Sequence, residues 1–213
     1  MRQTGWAHLI WVALVRNREL GVGDQGLGPF TSPVPKNFDA YDRMADDKSL
    51  PLPGGTTTLI YDMKTGQREA EWLSLSGTIR NCSGGITPWG SWLTCEENMT
   101  RAGDGVNNDH GYIFEVPATH RGLVKPVPLK AMGRFNHEAA CIDPRTGIAY
   151  LTEDRGDGLL YRFIPNEKGK LALGGRLEAL AFVESDIKDT RNWTGTEAVK
   201  GKQYRATWVP LSE

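Results

Sequence analysis

The pattern Asp-x-x-Thr-Gly occurs twice, as Asp62-Met63-Lys64-Thr65-Gly66 and as Asp143-Pro144-Arg145-Thr146-Gly147. Each copy separates two runs rich in apolar and β-branched residues: 56–62 and 67–75 around the first, 139–142 and 148–151 around the second. An Asp can hold the backbone ahead of it, and a Gly two residues past the corner can take φ > 0. The pattern therefore predicts tight hairpins and commits the chain to antiparallel sheet. Long helical periodicity is absent almost everywhere, so the fold class is all-β.

The hairpins belong to a larger repeat. Ser91-Trp92-Leu93-Thr94-Cys95-Glu96-Glu97 resembles Ala149-Tyr150-Leu151-Thr152-Glu153-Asp154, and each is followed by a glycine-rich loop and a further strand, at 111–117 and 159–165. Upstream, Gly77-Thr78-Ile79-Arg80-Asn81-Cys82 parallels Gly133-Arg134-Phe135-Asn136-His137-Glu138. The spacing of about 55 residues lies close to that of propeller blades. The reading is one β-propeller-like region over 1–213, a partial propeller of about three to four blades whose missing blades lie in a longer chain. Residues 21–53, rich in Gly, Pro and Asp, read as a long loop with a short helix around 38–44.

The bulk composition narrows the partners. Across 213 residues the formal net charge is -1, with 39% hydrophobic and 24% charged residues, so the chain is neither disordered nor a membrane composition. No polybasic run is present, which leaves no electrostatic case for nucleic acid. The apolar run at 8–15 is too short to span a bilayer and lacks the flanks of a signal peptide; it reads as a buried strand. Cys82, Cys95 and Cys141 make no disulfide framework and no CxxC. Cys95 and Cys141 lie in apolar runs and read as small core residues, whereas Cys82 sits among Asn, Ser and Gly.

The polar strand tips are where chemistry could reside: Glu19, Cys82, Glu96, Glu97, Asn98, His137, Glu138, Glu153 and Asp154. Converging carboxylates repel one another unless a cation neutralises them. Oxygen ligands favour calcium or magnesium, and a thiolate or imidazole adds affinity for iron or zinc. Taken singly, acids at strand ends are also commonly just solvated, and a His beside a Glu is commonly a satisfied structural residue. Arg16 and Arg134 beside the tips could pair with a carboxylate or clamp a phosphate. The stretch 103–109 has calcium-loop ingredients but no closing Glu, and reads as a surface turn.

The run Asn81-Cys82-x-Gly84-Gly85-x-Thr87-Pro88-Trp89-Gly90-x-Trp92-Leu93-Thr94-Cys95-Glu96-Glu97-Asn98 resembles the hallmark motif of PhoX-type alkaline phosphatases. Gly133-Arg134-Phe135-x-His137-Glu138 and Tyr150-Leu151-Thr152-Glu153-Asp154 resemble that family's next two motifs, in the same order. The resemblance implies a six-bladed propeller, export to the periplasm or medium, and hydrolysis of a small-molecule phosphate ester at an axial site holding iron and calcium. It implies metal ligands at Glu96 or Glu97 and at Glu138, with Cys82 as the thiolate and Glu19 and Asp154 at related tips. His137 and Arg134 would contact phosphate or act in catalysis. Which of Glu96 and Glu97 faces inward is open. One departure is Arg18, where the family often has His, which removes an imidazole from that tip. The leading expectation is a metal-dependent phosphatase. The alternatives are a propeller that binds a ligand or partner without catalysis, and a calcium-dependent lactonase or esterase.

Overall fold

A computed structural model describes residues 11–22, 24, 38–48, 50–183, 189–191, 193 and 198–211. Its strands are β1 (Trp11–Arg18), β2 (Gly54–Asp62), β3 (Gln67–Thr78), β4 (Asn81–Ile86), β5 (Ser91–Glu96), β6 (Ile113–Pro117), β7 (His137–Ile142), β8 (Ala149–Glu153), β9 (Leu160–Pro165), β10 (Gly175–Phe182) and β11 (Ala206–Pro210). They form three antiparallel sheets, in the orders β1-β2-β3, β4-β5-β6 and β11-β10-β9-β8-β7. Among the described residues no sheet closes on itself and no α-helix is present. No helix there is long and apolar enough to cross a membrane.

Both Asp-x-x-Thr-Gly turns form as the sequence predicts. Asp62 Oδ1 accepts from the Lys64 and Thr65 amides, and Gly66 takes φ 70°. Asp143 accepts from the Arg145 amide and the Thr146 hydroxyl, and Gly147 takes φ 79°. The apolar run near the start becomes β1 from Trp11 onward, but as an edge strand with no buried residue rather than the buried strand expected, since only β2 pairs with it; residues 8–10 lie outside the described part.

The short helix expected around 38–44 is absent. The segment is extended: the Tyr41 amide donates to Ser76 O at 2.9 Å and the Asp42 amide to Gly77 O at 3.0 Å, while Arg43 bridges Pro51. Its backbone donors are consumed by the end of β3, so no helical turn can use them. Cys95 is buried as expected, but Cys141 is exposed, because β7 alternates and its neighbours Ala140 and Ile142 take the core side.

The second and third sheets share the main core, built from Leu93, Cys95, Ile113, Ala140, Leu151 and Phe163 among others. β4 and β7 come together because Gly85 has no side chain. A Cβ there would lie 1.8 Å from the Ala140 carbonyl oxygen. The first and second sheets meet through Leu75, Phe114 and Val116. A polar strut supports this junction. His110 is fully buried, with Nδ1 2.7 Å from Glu96 Oε1 and Nε2 3.3 Å from Asp42 Oδ2.

Candidate metal centre

The site is assembled by one irregularity used twice. In β4 and β5, Asn81 pairs with Glu96 and Gly84 with Thr94; in β7 and β8, His137 pairs with Glu153 and Ala140 with Leu151. Each time the first strand carries one extra residue, a β-bulge. Bulges re-aim the side chains within them and recur beside functional sites. Cys82 and Glu138 are the second residues of β4 and β7, each inside its bulge. Glu97 and Asp154 directly follow β5 and β8. The repeat seen in the sequence is therefore a repeat of geometry, and it delivers four polar groups to one place.

Two overlapping groups result. Glu19, Cys82 and Glu97 offer ligand atoms within 4.8 Å of one another, and so do Glu97, Glu138 and Asp154. Glu97 belongs to both. The Cys82 thiol donates to Glu138 Oε1 at 3.5 Å, which joins the groups. Burial, then the hydrogen bond and charge of Glu138, push the Cys82 thiol up to about 12. Burial and the adjoining Asp154 carboxyl hold Glu97 above the usual carboxylate range, with Arg80 pulling the other way. These groups are short of positive charge.

A cation would relieve that shortage, and the donor set fits one. Calcium–oxygen distances of about 2.3–2.6 Å put ligand atoms on opposite sides of an ion about 5 Å apart, so ligand atoms within 4.8 Å of one another can share one ion. Carboxylates alone in the second group are hard oxygen donors of the calcium or magnesium kind, while the thiol in the first adds a donor for a softer metal such as iron or zinc.

Other expected site residues lie elsewhere. Glu96 belongs to neither group: its Oε1 faces His110 and the Ile79 amide, and its Oε2 accepts from the Gly111 and Tyr112 amides. The strand's alternation turns Glu96 into the core and leaves Glu97 for the cluster. Glu153 repeats this, accepting from the Leu159 amide at 3.2 Å and the Tyr161 hydroxyl at 2.8 Å. His137 is fully buried against Phe135, with ring centroids 3.6 Å apart, and Nε2 donates to Gly133 O. Burial lowers it to about 3, so it is a neutral core imidazole with no access to a substrate. Arg134 donates to Met99 O at 2.5 Å and Thr100 O at 3.3 Å. It lines a cavity of about 750 Å³ that has none of the cluster residues in its wall. Arg16 pairs with Glu71. The 103–109 turn is no calcium loop: the Asn107 and Asn108 amides donate to Asp42, and Asp109 caps the Ala102 amide.

Two residues without any sequence-level assignment hold the site. The Asn17 amide donates to the Cys82 and Ser83 carbonyls. Arg80 donates from one nitrogen to Glu19 Oε1 at 3.3 Å and to Glu97 Oε2 at 3.1 Å. The signal for both was long-range contact, which no local pattern carries.

Three antiparallel sheets that bring a thiol and carboxylates together at strand ends define an all-β protein with a candidate cation site. The family model for the alkaline phosphatase PhoX matches residues 36–213, and the chain belongs to that family. No curated protein and no solved structure matches it.

Proposed function

We propose that the chain is a metal-dependent phosphomonoesterase of the PhoX type, with its three sheets serving as propeller blades. One observation carries the reading: Cys82, Glu97, Glu138 and Asp154 converge from repeated bulges and strand ends in a PhoX-family chain. Glu97, Glu138 and Asp154 would hold calcium, and Glu19, Cys82 and Glu97 iron. When bound, such cations neutralise a phosphate ester and act as Lewis acids toward its P–O bonds. The chain's own residues prepare for this. Cys82 would have to give up its Sγ proton to serve as a ligand, and Glu138 Oε1 accepts the hydrogen bond from that thiol. Glu19 and Asp154 are exposed, so the centre opens to solvent and admits a small soluble ester. The family's export to the periplasm or medium is carried over with this reading.

The test is elemental analysis of protein purified without chelator, paired with a p-nitrophenyl phosphate assay. Iron, calcium and turnover are expected, with Glu138→Ala losing metal and activity together. Absence of both metals and of turnover overturns the reading. Calcium without iron, together with lactone hydrolysis, replaces it with a lactonase.

A further inference from the structure

Arg80 is the one non-glycine residue with positive φ among those described, at 45°. Side chains with a Cβ avoid this region, and residues held in it cluster at functional sites. The turn between β3 and β4 fixes it there from both sides. The Arg80 amide donates to Leu20 O at 2.9 Å, and its carbonyl accepts from the Glu97 amide at 3.0 Å. Glycine would make both bonds without strain. What arginine adds is its side chain.

That side chain reaches the centre. A single nitrogen, Nη2, serves both Glu19 and Glu97, and the side chain is 44% exposed. Among the described residues, Nε and Nη1 have no hydrogen-bond partner. A cation entering the cluster competes for the same Glu97 carboxylate that holds Arg80. A guanidinium released from a carboxylate keeps its planar fork of donors, and that fork matches phosphate.

The geometry points to Arg80 as an exchangeable counter-ion that becomes a phosphate-contacting residue. It neutralises Glu19 and Glu97 before cations bind, then donates to the substrate's phosphate oxygens from the rim. This rests on the phosphatase reading above. It also gives a role to an arginine that stands on a backbone glycine would suit better.

The variants Arg80→Gly and Arg80→Lys test it with three readouts. First, chelator-treated protein is titrated with Ca²⁺ by calorimetry. Arg80→Gly should bind Ca²⁺ several-fold more tightly than the unaltered protein, because its competitor for Glu97 is gone. Second, thermal denaturation should show no loss for Arg80→Gly, since glycine relieves the backbone. Third, in metal-loaded protein, inhibition by inorganic phosphate should weaken about tenfold or more, with KM rising and kcat falling less. Arg80→Lys should recover part of the phosphate affinity. Unchanged Ca²⁺ and phosphate affinities in Arg80→Gly overturn the proposal. So does a lowered melting temperature with weaker Ca²⁺ binding, which would make Arg80 a structural tie. If the unaltered protein neither binds Ca²⁺ nor hydrolyses p-nitrophenyl phosphate, the phosphatase reading itself falls, and this inference with it.

Discussion

Asn17 donates its side-chain amide to the Cys82 carbonyl oxygen at 3.0 Å, and to that of Ser83 at 2.7 Å. These carbonyls belong to the β4 bulge, where the ladder leaves them unpaired. Asn17 Oδ1 in turn accepts from Trp92 Nε1 at 3.0 Å and Thr94 Oγ1 at 2.8 Å. One amide on β1 thus fixes the bulge that aims the thiol.

Asn17→Ala would orphan these partners. A buried polar group left without a hydrogen bond costs about 1–3 kcal/mol, and the bulge would lose its clamp. We expect a lower melting temperature by calorimetry and a fall in bound metal of about 10–100-fold in affinity, as for residues that orient metal ligands. A lower melting temperature with undiminished metal binding would confine Asn17 to holding β1 in place.

Glu96 and Glu97 should separate cleanly. Glu97→Gln removes the carboxylate shared by both groups, so metal content and phosphatase activity should collapse with little change in stability. Glu96→Gln removes a buried charge facing His110 and weakens acceptance from three amides. Breaking a buried pair costs about 3–5 kcal/mol, so this variant should unfold early by urea titration yet still bind metal while folded. A Glu96→Gln protein that is stable but metal-free would reverse the two roles.

Gly85→Ala should part the two bulges. Its Cβ would collide with a backbone oxygen, the Ala140 carbonyl, which cannot swing aside as a side chain would. Overpacking of this kind costs about 1–3 kcal/mol, and separating β4 from β7 stretches the Cys82–Glu138 contact. Reduced stability and reduced metal content should appear together. Gly156→Ala, where an added Cβ meets nothing within 4 Å, should change neither.

The hairpins were legible because a turn is a local event: Asp62 and Gly66 need only their neighbours. The repeat was legible because strand and polar tip recur at a fixed spacing, whereas the bulges within it showed only in the pairing register. What escaped was decided across distance. A carboxylate pair gives no sign of which member turns inward until the Gly111 and Tyr112 amides and His110 claim Glu96. His137 looks like a base beside an acid, but the bulge turns Glu138 to the cluster and leaves His137 under Phe135. The helix expected near Asp42 failed because the Tyr41 and Asp42 amides are taken by the Ser76 and Gly77 carbonyls at the end of β3, many residues away.

The buried strut should make stability depend on pH in a defined sense. Burial disfavours charge on His110, but hydrogen bonds and charge from Glu96, then Asp42, overcome it and raise its pKa. A raised folded value means the imidazolium's contribution is complete below about pH 6.5, the ordinary histidine value. It is lost as pH climbs through the folded value. Asp42 runs the opposite way: burial favours its neutral form, yet bonds from Asn107, Asn108 and Arg43 hold it below the usual range. Its contribution is present above about pH 3.9 and fades as pH falls through the lower folded value. His110→Gln keeps hydrogen-bonding atoms but cannot charge. Melting temperatures of the unaltered protein and His110→Gln, compared from pH 5 to pH 9, should differ most at the acid end and converge toward the alkaline end. A gap that widens toward the alkaline end would mean the imidazole is buried neutral, and a gap that stays constant would mean it titrates alike in the folded and unfolded chain; either outcome overturns the charged strut.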